Sequence, residues 1–291
     1  MDGLDTIYRI SDSISLSEIT QCIRRAITHG NPASFEDTGL NAFDHHFRLP
    51  GKQMRSRVCL QASESLGLDY KTSIQLAATV EALHNASLIL DDFQDGALER
   101  RGSPSVCALF GRDVALTLTL RLTTAAFICL TSTPDTGYLS QLVKELHRVV
   151  TETSIGQTRD LDVTRETTAE DLKVTASLKS GPLFGLSISL PLIATGQHEH
   201  VDQTYKIAKL FGLGYQILDD VSDTTGDSLQ AADSNLVNCW SKDLGKDMAK
   251  AYALESAEKY LNKAKLLATE MPDGCGAAII GLITQLQESE S

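Results

Sequence analysis

The chain is poor in residues that interrupt helices. Of 291 residues only 20 are Gly and 7 are Pro, and aromatics make up 5%. No run of alternating apolar and polar residues is long enough to set a strand, which speaks against a β-rich fold and for an all-α one. Paired cysteines are lacking too: the six, at 22, 59, 107, 129, 239 and 275, include no CxxC. That excludes a disulfide framework and leaves reduced core thiols. Positive charge is not in excess. The net charge of −12 argues against binding to nucleic acid or an anionic membrane face. No long apolar run is clean, because VALTLTLRLTTAAFICL (114–130) carries Arg121 at its middle. It reads as a buried helix, so no transmembrane segment is expected. The opening MDGLDTIYRISDS is too acidic and polar for a targeting peptide. The profile is that of a soluble, cytoplasmic protein.

What is present is helical periodicity, with segments expected at roughly 16–29, 36–48, 50–66, 71–96, 104–131, 137–163, 167–195 (broken near Pro182), 201–224, 234–243, 246–269 and 274–288. Breaks fall at TSTPDTG (131–137), ATGQHEHVD (194–202), TTGDSLQAADS (224–234) and MPDGCG (271–276). One stretch has an echo: LILDDFQD (88–95) returns as QILDDVSD (216–223). Each copy is an apolar approach ending in DDxxD. A single DDxxD on a solvated helix face is commonplace, but two at the ends of buried helices ask for a chemical reason.

Helix geometry gives part of it. His84, Leu88, Asp91 and Asp95 share a stripe, with Asp92 beside them, and Gln216, Asp219, Asp220 and Asp223 share another. If the two helices face each other in a bundle, the carboxylates converge and repel unless a cation sits among them. No His or Cys has soft-metal spacing, so the expected cation is hard. Mg²⁺ is held by a few carboxylates plus substrate phosphates. Arg100 and Arg101 follow the first cluster, Lys52 and Arg55 lie in PGKQMRSR, and Lys179 lies in LKSGPLF. These suit phosphate oxygens, and together with the carboxylates they point to a diphosphate ligand. Plainer readings stand beside these: a solvated face for Lys52 and Arg55, a satisfied buried histidine for His84, and polar packing for Gln157 and Asp160. The remaining histidines (29, 45, 46, 147, 198, 200) read as surface residues.

At this point the sequence resembles the trans-isoprenyl diphosphate synthase (polyprenyl synthetase) family, geranylgeranyl diphosphate synthases included. GKQMR (51–55), EALHNASLILDDFQD (81–95), the RRG after it, GQTRD (156–160), KSGPLF (180 being its Ser) and FGLGYQILDDVSD (211–223) follow the family's motifs in order. The resemblance implies one helical-bundle domain over 1–291 around a deep central cavity, its core motifs at 45–225, and a homodimer. It implies that Asp91, Asp92, Asp95, Asp219, Asp220 and Asp223 serve Mg²⁺, three ions per site, with 92 and 220 assisting. Lys52, Arg55, His84 and Arg101 would hold isopentenyl diphosphate. Arg100, Lys179, Ser180 and Gln216 would surround the allylic diphosphate, with Asp91, Asp95, Lys179 and Asp219 the catalytic set. The implied reaction is metal-assisted ionisation of the allylic diphosphate and attack by isopentenyl diphosphate. Small residues at Ala86 and Ser87, before Asp91, imply an open path for the chain and a C20 or longer product, and Ala86→Phe should shorten it. A terpene cyclase on the same fold is the alternative, ionising an allylic diphosphate with no isopentenyl partner. Some positions depart from the family pattern: Pro50 for Gly, Ser56 for the usual Pro, Thr119-Leu120 for a Gly-Asp pair, and Cys107 where many members carry His. The distal lysines have only Lys242 or Lys246 as candidates.

Overall fold

The computed structural model describes residues 15–30, 37–49, 51–133, 137–164, 166–223 and 235–289. The opening segment, Pro50, the carboxylate of Asp223 and the 224–234 break fall outside the described residues. The fold is all-α. Twelve α-helices run in the described residues: α1 Ser15–Ile27, α2 Thr38–Phe47, α3 Met54–Ser65, α4 Tyr70–Asp95, α5 Val106–Phe110, α6 Arg112–Thr131, α7 Leu139–Leu161, α8 Ala169–Ala194, α9 Val201–Asp223, α10 Leu236–Leu244, α11 Lys246–Thr269 and α12 Ala277–Ser289. The strands described are a two-residue pair, β1 Glu99–Arg100 and β2 Ser103–Pro104. The chain divides into two compact units, Met1–Val143 and Lys144–Ser291.

In the first unit α4 packs along α6 and α3. Asp69 caps α4, accepting from the Thr72 N–H at 3.1 Å, and Gly96 ends it in the left-handed region at φ 64. From Leu76 to Leu83 every residue of α4 is buried, so this long helix is the unit's core. One helix among the described residues, α6, is long and apolar enough to cross a membrane. Ala115, Leu118, Leu122, Ala126 and Cys129 are buried, whereas Leu116 and Leu120 are exposed. Only one face of the expected buried helix is covered. Arg121 forms an ion pair with Asp37 and donates to the Ile27 carbonyl at 2.9 Å, so its charge is matched within the protein.

The segment expected as one helix over 104–131 is two, because Gly111 turns the chain at φ 89. The helix expected from residue 50 starts at Met54, since Gln53 is left-handed at φ 49. The break expected near Pro182 is absent: α8 runs through Pro182 and Pro191, with 181–194 wholly buried. Packing on all sides holds together a helix that proline alone would break.

In the second unit α9 lies against both α8 and α11. Gly212 makes the first of these possible: a Cβ there would sit 2.9 Å from the Gly181 nitrogen. Phe184 and Phe211 meet edge to face beside this crossing, centroids 4.6 Å apart. All six cysteines are free, and burial pushes the thiols of Cys59 and Cys129 up to about 12.

Candidate active site

The first aspartate motif closes α4. Asp91 is half-buried and Asp95 exposed, but Asp92 points inward, 1% exposed. Its partner is Arg100, whose Nε donates to both carboxylate oxygens at 3.0 and 3.2 Å and whose Nη2 reaches Oδ1 at 2.5 Å. The hairpin makes this grip possible. Arg101 and Gly102, the turn between β1 and β2, both have positive φ, 56 and 71, the two-residue turn that suits the strand twist. It sends Arg100 inward and Arg101 back over the loop before α3. There Arg101 Nη1 donates to the Leu49 carbonyl at 2.9 Å. A Cβ on Gly51 would stand 2.5 Å from Arg101 Nη2, so glycine is what lets the guanidinium lie on that backbone.

Lys52 is exposed at this loop, and Arg55 is half-buried at the second position of α3. Arg55 Nη1 lies 3.4 Å from His84 Nε2. Burial, then the charges of Arg55 and Arg101, hold the His84 imidazole well below its ordinary range, so it is neutral at physiological pH. Its Nδ1 is buried without a hydrogen-bond partner. The structure therefore gathers Arg55 with His84, and Arg101 with the Gly51–Lys52 loop, in one unit. Ser87 stands one turn before Asp91 on the same half-buried face, its hydroxyl donating to the His84 carbonyl at 2.8 Å. Ala86 is instead buried, 4% exposed, in the packing of the helix.

In the second unit Lys179 Nζ donates to Asp160 Oδ2 at 2.7 Å, joining α8 to α7. The crossing of these helices is tight at Gly156, where a Cβ would stand 2.6 Å from the Lys179 nitrogen. Ser180 is half-buried at the start of the Gly181–Gly212 crossing, and Gln157 is buried on α7. In the second motif Asp219 is exposed, while Asp220 is buried. Asp220 Oδ2 accepts from the Leu236 N–H at 2.8 Å and Oδ1 from Gln216 Nε2 at 3.0 Å. Asn235 adds a bond to the Asp220 carbonyl at 2.9 Å. Asp220 thus fastens the start of α10 to the end of α9, and Gln216 is turned toward it.

Both motifs have the same division of labour. One aspartate, 92 or 220, is held inside by protein donors, and its neighbours 91, 95 and 219 face outward or lie half-exposed. Among the described residues no three His, Cys, Asp or Glu side chains come together as a ready metal cage. Such sparse, outward oxygen donors fit a Mg²⁺ ion that keeps waters and takes phosphate oxygens, and do not fit a closed structural site.

The motif reading also missed a buried polar group in the first unit. His46, expected at the surface, is 7% exposed, and its Nε2 meets Asn85 Oδ1 at 2.9 Å. Burial lowers its imidazole to about 4. Asn85 in turn binds Glu81, which is 2% exposed. The available signal was Glu81 itself, an acidic residue inside the apolar run AATVEALHNASLIL.

The polyprenyl synthetase family model matches residues 37–253. The chain belongs to the polyprenyl synthetase family. This is a family of trans-prenyltransferases, and the match runs through both units. A geranylgeranyl diphosphate synthase of Pseudescherichia vulneris is 33% identical over 230 residues, 74% of this chain and 75% of that protein. A geranylgeranyl pyrophosphate synthase of Geoglobus acetivorans is 32% identical over 196 residues, 66% of this chain but only 61% of that relative's length. Solved structures agree in fold. The Geoglobus acetivorans geranylgeranyl pyrophosphate synthetase has a TM-score of 0.76 at 24% identity, covering 94% of this chain and 98% of that one. A decaprenyl diphosphate synthase from Rhodobacter capsulatus has a TM-score of 0.81 at 19% identity, covering 98% and 99%.

Proposed function

We propose that this polyprenyl synthetase condenses isopentenyl diphosphate with an allylic diphosphate, with Mg²⁺, to give a trans-prenyl diphosphate of C20 or longer. The observation that carries the reading is the basic group of the first unit. Arg55 against neutral His84, with Arg101 laid on Gly51 beside exposed Lys52, forms a basic cluster on the same unit as Asp91 and Asp95. An enzyme that ionises an allylic diphosphate alone has no use for this second set of phosphate-binding groups.

In this reading Lys52, Arg55, His84 and Arg101 bind the diphosphate of isopentenyl diphosphate. Arg55 and Arg101 contribute forked donors and Lys52 a point charge. Lys179, Ser180, Gln216 and Arg100 serve the allylic diphosphate. Asp91, Asp95, Asp219 and Asp223 would hold the metal, with Asp92 and Asp220 keeping their helix ends in place. When bound, Mg²⁺ offsets the charge of the departing diphosphate. Asp160 positions Lys179 so that its charge is aimed before substrate arrives, the condition under which fixed charges lower a barrier. The family match across both units supports one catalytic domain, and we place it in the cytoplasm as a homodimer.

Product length is a matter of side chains, since names attached to this one fold run from short-chain to decaprenyl. Ser87 shares the half-buried face of Asp91 and lies ~6 Å below it along the helix axis. A small residue there leaves room for a growing chain. The test is incubation with labelled isopentenyl diphosphate and dimethylallyl, geranyl, farnesyl or geranylgeranyl diphosphate. Label in a prenyl diphosphate of C20 or longer is expected. Hydrocarbons or alcohols from an allylic substrate alone would mean a cyclase instead.

A further inference from the structure

Beneath the basic group a hydrogen-bond chain poses a problem of proton counting. Glu81 Oε1 accepts from Asn85 Nδ2 at 2.9 Å, and Glu81 Oε2 lies 2.9 Å from Ser56 Oγ. The same Ser56 Oγ lies 3.0 Å from the Gln53 carbonyl oxygen. A serine hydroxyl has one proton to donate, yet here it touches two oxygens. With an ionised Glu81 one of the two contacts holds no proton, in a place where Ser56 is 0% and Glu81 2% exposed. A proton on Glu81 Oε2 resolves this. Glu81 then donates to Ser56, Ser56 donates to the Gln53 carbonyl, and Asn85 still donates to Oε1.

The chain ends at a strained residue. Gln53 sits in the left-handed region at φ 49 and precedes α3 with no side-chain cap, a conformation costing about 1 kcal/mol or more for a non-glycine residue. It lies between Lys52 and Arg55, so its conformation sets where both side chains start. Through Ser56, this turn is tied by side-chain hydrogen bonding to a buried acid on α4.

We propose that Glu81 is kept as a neutral acid and that, through Ser56, it is a positioning residue holding the Lys52–Arg55 turn ready for the diphosphate of isopentenyl diphosphate. This rests on the reading above that Lys52 and Arg55 bind that diphosphate. Neutrality serves binding as well as geometry. The charges of Arg55 and Arg101 reach Glu81, and an ionised Glu81 would compete with the ligand for both. His46, which touches the chain through Asn85, is itself neutral. Burial raises the Glu81 carboxyl, against the opposing pull of Asn85, Ser56 and the two arginines.

The experiment compares Glu81→Gln, Glu81→Leu and Ser56→Ala with the parent enzyme. It reads KM for each substrate separately, calorimetric affinity for isopentenyl diphosphate, and the infrared carbonyl stretch of a protonated carboxylic acid. A glutamine presents the same acceptor and donor as a neutral acid, so Glu81→Gln is expected to leave both KM values and the affinity unchanged. It should also remove a deuteration-sensitive acid band. Glu81→Leu and Ser56→Ala should each raise the isopentenyl diphosphate KM about tenfold, the scale of one lost buried hydrogen bond, with the allylic KM unmoved. If Glu81→Gln weakens isopentenyl diphosphate as much as Glu81→Leu, the carboxylate is ionised and the proposal is overturned. A lower Tm in Ser56→Ala with both KM values unchanged also overturns it, since the role is then structural. Should Lys52→Ala leave isopentenyl diphosphate binding intact, the diphosphate reading itself has failed, and the infrared band still decides the protonation state.

Discussion

Replacing Arg100 by leucine should cost more stability than any exposed ion pair could supply. The guanidinium supplies three contacts to Asp92, two from Nε at 3.0 and 3.2 Å and one from Nη2. Asp92 is 1% exposed, and the Arg100 side chain 31%. Removing one partner of a buried pair leaves the other charge uncompensated, which costs ~3–5 kcal/mol, against ~0–1 kcal/mol for a solvated pair. The middle of that range, ~4 kcal/mol, is the expected cost. A loss of ~4 kcal/mol is a large share of the ~5–15 kcal/mol by which domains are stable. Urea unfolding followed by circular dichroism should show it as a midpoint lowered by ~1 M or more, given slopes of ~3 kcal/mol/M for a chain of this size. Asp92→Asn in the Arg100→Leu background should restore most of the loss, because it removes the orphaned charge. A loss under ~1 kcal/mol, or no rescue by Asp92→Asn, would refute the account of Asp92 as an inward anchor. Asp92 would then be as available to metal as Asp91.

Neutral His46 should make the fold acid-sensitive. Its imidazole falls from an ordinary 6.5 to about 4, so its contribution is complete above pH ~6.5 and lost as pH drops toward 4, up to ~3 kcal/mol. His46→Gln keeps a donor for Asn85 and should flatten that slope in unfolding titrations; an unchanged slope would contradict the burial argument. Gly212→Ala should destabilise by ~1–3 kcal/mol through overpacking against Gly181. Gly281→Ala, with nothing within 4 Å of its Cβ, should stabilise by up to ~1 kcal/mol through helix propensity, and calorimetric Tm values of opposite sign would check both. Ser87→Phe should shorten the product more cleanly than Ala86→Phe, since Ala86 is already enclosed. A product profile unaffected by Ser87→Phe, read by chromatography, would place the limit on chain length elsewhere.

Local chemistry was readable wherever it acted alone. The expected helix at 71–96 matches Tyr70–Asp95 because Asp69 and Gly96 are start and stop signals in the sequence itself. The stripe of His84, Leu88, Asp91 and Asp95 is helix geometry and needs no tertiary information. What could not be read depends on distant partners. The grip of Arg100 on Asp92 requires a hairpin of two-residue strands, too short to show any alternation. His46 reads as a surface residue until Asn85, far along the chain, is found against it. Continuity of α8 through Pro182 follows from burial on every side, which no local rule carries. The inward turn of Asp92 and Asp220, beside half-buried Asp91 and exposed Asp219, rests on the same kind of distant donor.

The most direct test of the central claim is transfer of label from isopentenyl diphosphate into product by the purified protein, with dimethylallyl, geranyl, farnesyl or geranylgeranyl diphosphate and Mg²⁺. The account predicts label in a prenyl diphosphate of C20 or longer, lost when Mg²⁺ is chelated. It also predicts a drop of ~10²-fold in Asp91→Asn or Asp219→Asn, the scale of one preorganised electrostatic contact. Consumption of an allylic diphosphate with no incorporation of isopentenyl diphosphate would contradict it.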